Sequence, residues 1–450
     1  MPQSSSLFFY ALSAALLYWR TEETQALLFG RRPGTTFHAR FASATSFLYG
    51  PSGEQKPNQK QWNGKGDFAA SKFPLIDVRT CETFAVGHVA GATNIPLEDL
   101  TRRMFELPAP HESPLTLCAA CPEELADASA LLGGKGWHIV HEHSFCAFRA
   151  SPNEQPSHYG FDWETGNESV SCWRPSAFLR ETLAASLTSE FGALNQLMQA
   201  HGAFPAKRST PQTVSGMGER AARGDEENVG WNPGGKKTDA TGQQRPRFVA
   251  LDLGCGSGRD AVHMALTLPK DVDWQVIGVD NHRAALDRAR ALAEREGVAH
   301  RVHFQCADLR KLTAAGNLEE LLHGVFWDGG DSSADGGIFS SPIVGLVHGC
   351  RFLDRRLLKC LRDDEALLSP GGILIWSTFM EGEKNLAPPF RPSRRLFPGE
   401  MKHIFCTERR GESEVDVTTL PSFRILHDKE GFLTTRNTDV PASFFACQRT

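Results

Sequence analysis

Residues 247–253 (RFVALDL) form a short, almost wholly apolar run that leads directly into Gly254-Cys255-Gly256-Ser257-Gly258. A helical pattern begins at Arg259 and continues to about residue 268. A strand that is apolar on both faces belongs in a parallel sheet with helices on both sides. The glycines lack Cβ atoms, so the backbone can turn sharply there and approach a polar ligand closely. The spacing narrows the choice of ligand. A dinucleotide loop of the G-x-G-x-x-G type would need a glycine where Arg259 stands, and no G-K-[ST] follows for a P-loop.

Two further strand-and-acid units follow. Residues 274–279 (WQVIGV) end in Asp280, an acid placed to accept hydrogen bonds from both hydroxyls of a ribose. After a helical segment at 283–296 comes Val302–Cys306 (VHFQC), then Ala307-Asp308, where a carboxylate can accept from the exocyclic amine of adenine.

LDLGCGSGRDAV, the GVD at 278–280 and the CAD at 306–308 resemble the class I S-adenosylmethionine-dependent methyltransferases, and LSPGGILI at 368–375 resembles that family's turn into its fifth strand. The run Cys255-Gly256-Ser257-Gly258-Arg259-Asp260 is similar to the branch containing tellurite-resistance and thiopurine methyltransferases. The resemblance covers roughly 248–449 and implies a Rossmann-like seven-stranded domain. Strand four would be 343–347 and strand five 372–378. A closing pair at about 423–432 and 442–448 would have its last strand antiparallel.

In that family's terms Gly254, Gly256 and Gly258 hold the methionine end of S-adenosylmethionine, Asp280 the ribose and Asp308 the adenine. Asp252 supports the loop or the cofactor's ammonium. The [DN]-P-P-[YF] run of amide methylases is missing, since 347–352 reads VHGCRF. His348 is either a base near the methyl or a hydrogen-bonded rim residue. Arg391 and Arg394, in the proline-stiffened loop PPFRPSRRLFPGE, are placed to meet an anionic substrate, or else belong to a solvated basic loop.

Further toward the N-terminus, LIDVRTCETFAVGHVAGATNIP (75–96) resembles the rhodanese homology domain over roughly 70–148. Active rhodaneses place a cysteine in a C-x-x-G-x-R-[ST] loop whose backbone N–H groups stabilise a persulfide. Cys118 fills the nucleophile position, but the loop continues Ala119-Ala120-Cys121-Pro122-Glu123-Glu124. Two carboxylates beside a thiolate oppose its formation and repel thiosulfate-like donors. The resemblance therefore implies a degenerate rhodanese-like module for docking or packing, with Cys118-x-x-Cys121 as a redox alternative. Cys81 and Cys146 read as ordinary buried cysteines. CWRPSAFL at 172–179 resembles the junction of rhodanese–methyltransferase fusions.

The expected organisation is an α/β chain. A leader and linker (1–69) precede a rhodanese-like α/β domain (70–150), a junction helix at about 176–200 with a low-complexity linker (151–247), and the methyltransferase domain (248–450). Residues 327–341 read as a flexible insertion. The chain has 450 residues, 40% of them hydrophobic, enough for folded cores. With 48 Lys+Arg against 53 Asp+Glu, net charge −5, it lacks the basic excess of nucleic-acid-binding proteins.

Eleven scattered cysteines suit a reducing compartment rather than a disulfide framework. Only one C-x-x-C occurs, so no metal site is expected. The apolar stretch at 7–19 is too short to span a membrane. The cytoplasm is the expected location, with an organelle reached through an Arg- and Ser-containing transit leader as the alternative. The expected activity is methyl transfer from S-adenosylmethionine to a small-molecule acceptor, with a protein partner possible at the rhodanese-like domain. The rival readings are a sulfurtransferase using a Cys118 persulfide and a non-enzymatic scaffold.

Overall fold

A computed structural model describes residues 73–110, 112–145, 162–188, 192–203, 246–322, 341–382, 394–406, 422–435 and 439–450. All of them lie in one compact unit, Lys65–Thr450. The leader, most of the low-complexity linker, nearly all of the 327–341 insertion, Arg391 and Cys146 lie outside the described residues.

The first α/β body is built on four short parallel strands, β1 (Leu75–Asp77), β3 (Thr93–Asn94), β4 (Leu115–Ala119) and β5 (Ile139–Ser144), in the order β3-β1-β4-β5. Helix α1 (Cys81–Val86) and strand β2 (His88–Val89) connect β1 to β3, α2 (Leu97–Arg103) follows β3, and α3 (Pro122–Gly133) follows β4. The Asp-x-Arg at the end of β1 is a buried lock. Arg79 Nε donates to Asp77 Oδ1 at 2.9 Å, and its terminal nitrogen donates to the Gly87 carbonyl at 2.9 Å. Asn94 Nδ2 closes the motif by donating to the carbonyls of Asp77 and Arg79. Asp77 and Arg79 are both buried, so losing either would leave the other charge uncompensated.

Composition places residues 151–170 in a linker, yet their second half is built into this body. Trp163–Glu164 (β6) pairs antiparallel with β2, and Val170 N donates to the Ala92 carbonyl at 3.0 Å. The Trp163 ring packs against the cluster of Leu75, Phe84, Val89, Ala92, Cys118 and Phe145.

The helical stretch expected at 176–200 is two helices, α4 (Ala177–Thr188) and α5 (Ala193–Ala200). Gly192, extended at φ −61° and ψ 133°, caps the second and separates it from the first. Their apolar faces are covered by the second body. Phe178, Leu183, Leu194, Leu197 and Met198 share one core with Phe248, Ala250, Trp274 and Ile373.

That second body has seven strands, β7 (Phe248–Leu253), β8 (Trp274–Asp280), β9 (Val302–Cys306), β10 (Ile343–Cys350), β11 (Ile373–Phe379), β12 (Phe423–Thr434) and β13 (Asp439–Arg449). Their order is β12-β13-β11-β10-β7-β8-β9, with β13 antiparallel to both neighbours and the β7–β11 pairings parallel. This is the expected Rossmann-like seven-stranded arrangement. Strand four extends three residues beyond the expected end at Val347, to Cys350. All six residues of β7 are buried, with Val249, Leu251 and Leu253 on one face and Phe248 and Ala250 on the other. Helices α6 (Arg259–Thr267), α7 (Arg283–Arg295), α8 (Leu309–Ala315), α9 (Arg355–Asp363) and α10 (Glu400–Cys406) cover the two faces. Because strand order reverses between β7 and β10, a crevice opens at their carboxyl ends. None of the described helices is long and apolar enough to cross a membrane.

Leu197 is 2% exposed in the core that α5 shares with the second body. Leu197→Ala is expected to lower stability by about 2–5 kcal/mol, read from the urea midpoint of the full chain. A change within about 0.5 kcal/mol would place α5 outside that core.

Candidate active site

A cavity of about 450 Å³ occupies the crevice, and Gly254, Asp280, Asp308, Arg351, Phe352 and Arg394 are among its lining residues. The glycine loop is tied to the neighbouring strand by its own amides. Gly254 N donates to the Val279 carbonyl at 2.8 Å, and Gly256 N donates to Asp280 Oδ2 at 2.9 Å. The other oxygen of Asp280 accepts from His282 N at 2.8 Å. Asp280 thus holds the loop in shape while its carboxylate faces the crevice. Asp308 caps α8, accepting from Arg310 N at 3.1 Å, and also lines the cavity.

The three loop glycines differ in their surroundings. Gly254 has φ +81°, and a Cβ there would sit 3.2 Å from Phe352 at the mouth of the crevice. Gly258 has φ +76°, and a Cβ there would sit 2.6 Å from the Ala289 Cβ of α7. Gly258 therefore serves close helix packing, and neither it nor Gly256 is among the residues lining the cavity.

Two expected site residues lie elsewhere. Asp252 and His348 are 2% and 1% exposed, and His348 Nδ1 lies 2.9 Å from Asp252 Oδ1. Neither lines the crevice. Burial pushes the Asp252 carboxyl up, with His348 opposing it. Burial works against a charged His348 ring, but the Asp252 carboxylate outweighs it and the net direction is up. At this position His348 is a hydrogen-bonded residue of the core, apart from the residues that line the crevice. Its register neighbour across the sheet is Asp252 itself, and the two share one contact inside the core, while Asp252 Oδ2 and His348 Nε2 are buried without a hydrogen-bond partner among the described residues.

Sequence reasoning did not single out Arg310, Arg351 or Phe352, which also line the cavity. Arg351 is the only non-glycine residue with positive φ among the described residues, at 57°. Its guanidinium donates to the Thr434 carbonyl at 3.0 Å. The available signal was its position, immediately after the fourth strand of a parallel sheet.

In the first body Cys118 is fully buried, and burial together with Asp77 pushes its thiol well up, Arg79 opposing. The α3 N-terminus is capped by Cys121, whose Sγ accepts from Glu124 N at 3.5 Å. Glu124 in turn places Oε2 3.0 Å from Ala120 N, so a loop amide that could face a persulfide anion is occupied by the chain's own carboxylate. Cys81, expected to be buried, is exposed.

Residues 250–322 match a family model described as a methyltransferase domain. No curated protein matches the chain. Among solved structures, TehB from Haemophilus influenzae is 14% identical, with TM-score 0.30 over 46% of this chain and 58% of its own. The chain thus spans little more than half of that relative. A SAM dependent methyltransferase from Aquifex aeolicus is 13% identical, TM-score 0.27, over 45% of this chain and 82% of its own. A Rhodanese_3 like domain from an Anabaena sp. protein is 27% identical, TM-score 0.18, over 21% of this chain and 95% of its own.

Removing the ring in His348→Ala leaves a buried carboxyl without its partner, and stability is expected to fall by about 3–5 kcal/mol. A double-mutant cycle with Asp252→Asn, followed by urea unfolding, should show strong non-additivity. Additive effects would mean that the pair is not coupled. With a maleimide, the native chain is expected to label at Cys81, Cys306 and Cys406, which are exposed, before Cys118, as read by peptide mass spectrometry.

Proposed function

We propose that the chain is an S-adenosylmethionine-dependent methyltransferase acting on a small, anionic nucleophile, with a rhodanese-like module that does not transfer sulfur. One observation carries this reading: the glycine loop, Asp280 and Asp308, from three successive strands, meet at one crevice at the switch point of the sheet. That set fits the cofactor. Gly254 presents bare backbone, and the two acids line the cavity, Asp280 for a ribose and Asp308 for an adenine amine. When bound, S-adenosylmethionine supplies an activated methyl group.

The remaining work falls to alignment and exclusion of water rather than to proton transfer. Phe352, Leu353 and Phe379 give the cavity apolar walls, while Arg310, Arg351 and Arg394 bring positive charge to it. Guanidinium groups match oxyanions through paired N–H donors, so an acceptor bearing a carboxylate or a similar group is favoured. No general base is assigned, which suits a nucleophile such as a thiol or a selenium or tellurium species that ionises readily near neutral pH. The buried Cys118 and the Glu124-occupied loop support an accessory role for the first body.

Calorimetric titration of S-adenosylhomocysteine into the full chain is expected to show micromolar binding, weakened at least tenfold in Asp280→Ala. Absence of binding to the folded chain would overturn the cofactor reading. Thiosulfate-to-cyanide sulfur transfer is expected to stay at background; turnover abolished by Cys118→Ser would overturn the accessory role.

A further inference from the structure

A second cavity, of about 280 Å³, lies away from the crevice, at the seam where the end of α2 and the residues after it face helix α7. On α7 the positions Ala284, Arg288, Ala291 and Arg295 recur three to four residues apart and so share one face. The two alanines leave space, and the two arginines flank it. From the first body come Arg102, Arg103, Phe105 and Glu106.

The charges around this space do not cancel. Glu106, with a side chain only 5% exposed, accepts both Arg103 donors at 2.9 Å and also pairs with Arg295. One buried carboxylate is thus shared by two guanidiniums. Arg102 reaches Asp99 at 2.8 Å, and the lining Asp287 is taken by Arg290 at 2.9 Å. Arg288 has no ion-pair partner among the described residues. Its Nε donates to Ser257 Oγ at 3.3 Å, and its guanidinium lies 5.9 Å from the centre of the Phe105 ring. The lining thus holds four arginines, Arg102, Arg103, Arg288 and Arg295, against two acids, Glu106 and Asp287, the second of them paired with Arg290 outside the lining. Burial pushes Arg295 down, with Glu106 and Glu296 opposing and Arg103 and Arg102 adding to it; at Arg103 burial is outweighed by Glu106 and Asp99, and the net direction is up.

We propose that this interdomain cavity binds a small organic anion carrying a phosphate- or sulfate-type group, its oxygens held by Arg102, Arg288 and Arg295 and its body against Phe105 and the two alanines. Packed guanidiniums with too few carboxylates are stabilised by an oxyanion able to accept several N–H donors at once. A cavity near the lower size limit for ligand pockets, with an aromatic wall, suits a body larger than the bare ion. The proposal does not depend on the reading of the crevice.

The test is calorimetric titration of the full chain with phenyl phosphate and, separately, inorganic phosphate, with ionic strength held constant by chloride. Saturable binding of phenyl phosphate with a dissociation constant below roughly 1 mM is expected. It should weaken about tenfold or more in Arg288→Ala and in Arg102→Ala. Arg102 has a side chain 67% exposed, so its variant keeps the test sound if the other folds poorly, as checked by thermal melting. In Arg394→Ala, altered only at the crevice, phenyl phosphate should bind as in the parent. Equal affinity for inorganic phosphate would overturn the organic part of the proposal. No saturable binding, unchanged binding in Arg288→Ala and Arg102→Ala, or loss of binding in Arg394→Ala would overturn the site.

Discussion

Strand β7 must be covered on both faces, and that requirement organises everything around it. All six of its residues are buried, so the sheet it belongs to needs apolar cover above and below. One face is covered by α8, α9 and α10 with Leu318, Leu358 and Ile404 in its core. Cover for the other comes partly from α4 and α5, which precede the strand in sequence by some distance. Close fit does the rest. Trp274 and Trp376 are the largest fully buried side chains, and each lies where a Cβ on a β10 glycine, Gly345 or Gly349, would come within 2.7 Å of its ring. The crevice is the geometric by-product of this layering, since it opens where the order reverses beside β7.

The first body shows a fold kept while the chemistry at its expected nucleophile is closed off. The buried Asp77–Arg79 pair, with Asn94 bridging their carbonyls, holds β1 and the turn into β3 together. None of these groups needs Cys118 to be reactive. The thiol sits in the same apolar cluster that Trp163 packs against, and Glu124 closes the adjacent loop. The Asp-x-Arg motif that carries the rhodanese resemblance is thus largely a stabilising network, compatible with a loop whose acids oppose a thiolate.

Much of the architecture was legible because local chemistry dictates it. An apolar run entering a glycine turn reads as a buried strand feeding a helix, and acids at the tips of the next two strands stand where a parallel topology places a ligand. Asp280, Asp308, Gly254 and Arg394 do meet at one cavity. What a strand-by-strand reading leaves out depends on distant partners. Asp252 and His348 look like rim residues one strand at a time, and only the pairing of β7 with β10 puts them side by side in the core. Gly258 resembles its two loop companions until α7 brings Ala289 against it.

By itself the sequence determined the two α/β bodies, the glycine turn and the two strand-tip acids, because strand burial, glycine turns and acid placement are set by residues within a few positions of one another. Only the tertiary structure decided that α4 and α5 complete the second core and that residues 162–170 complete the first. It alone turned His348 inward, brought Arg351 to the crevice and gathered arginines from two bodies around one carboxylate. Those outcomes depend on side chains separated by up to about two hundred positions, such as Glu106 and Arg295, whose contact free energy exists only once the sheets have formed and the bodies have packed.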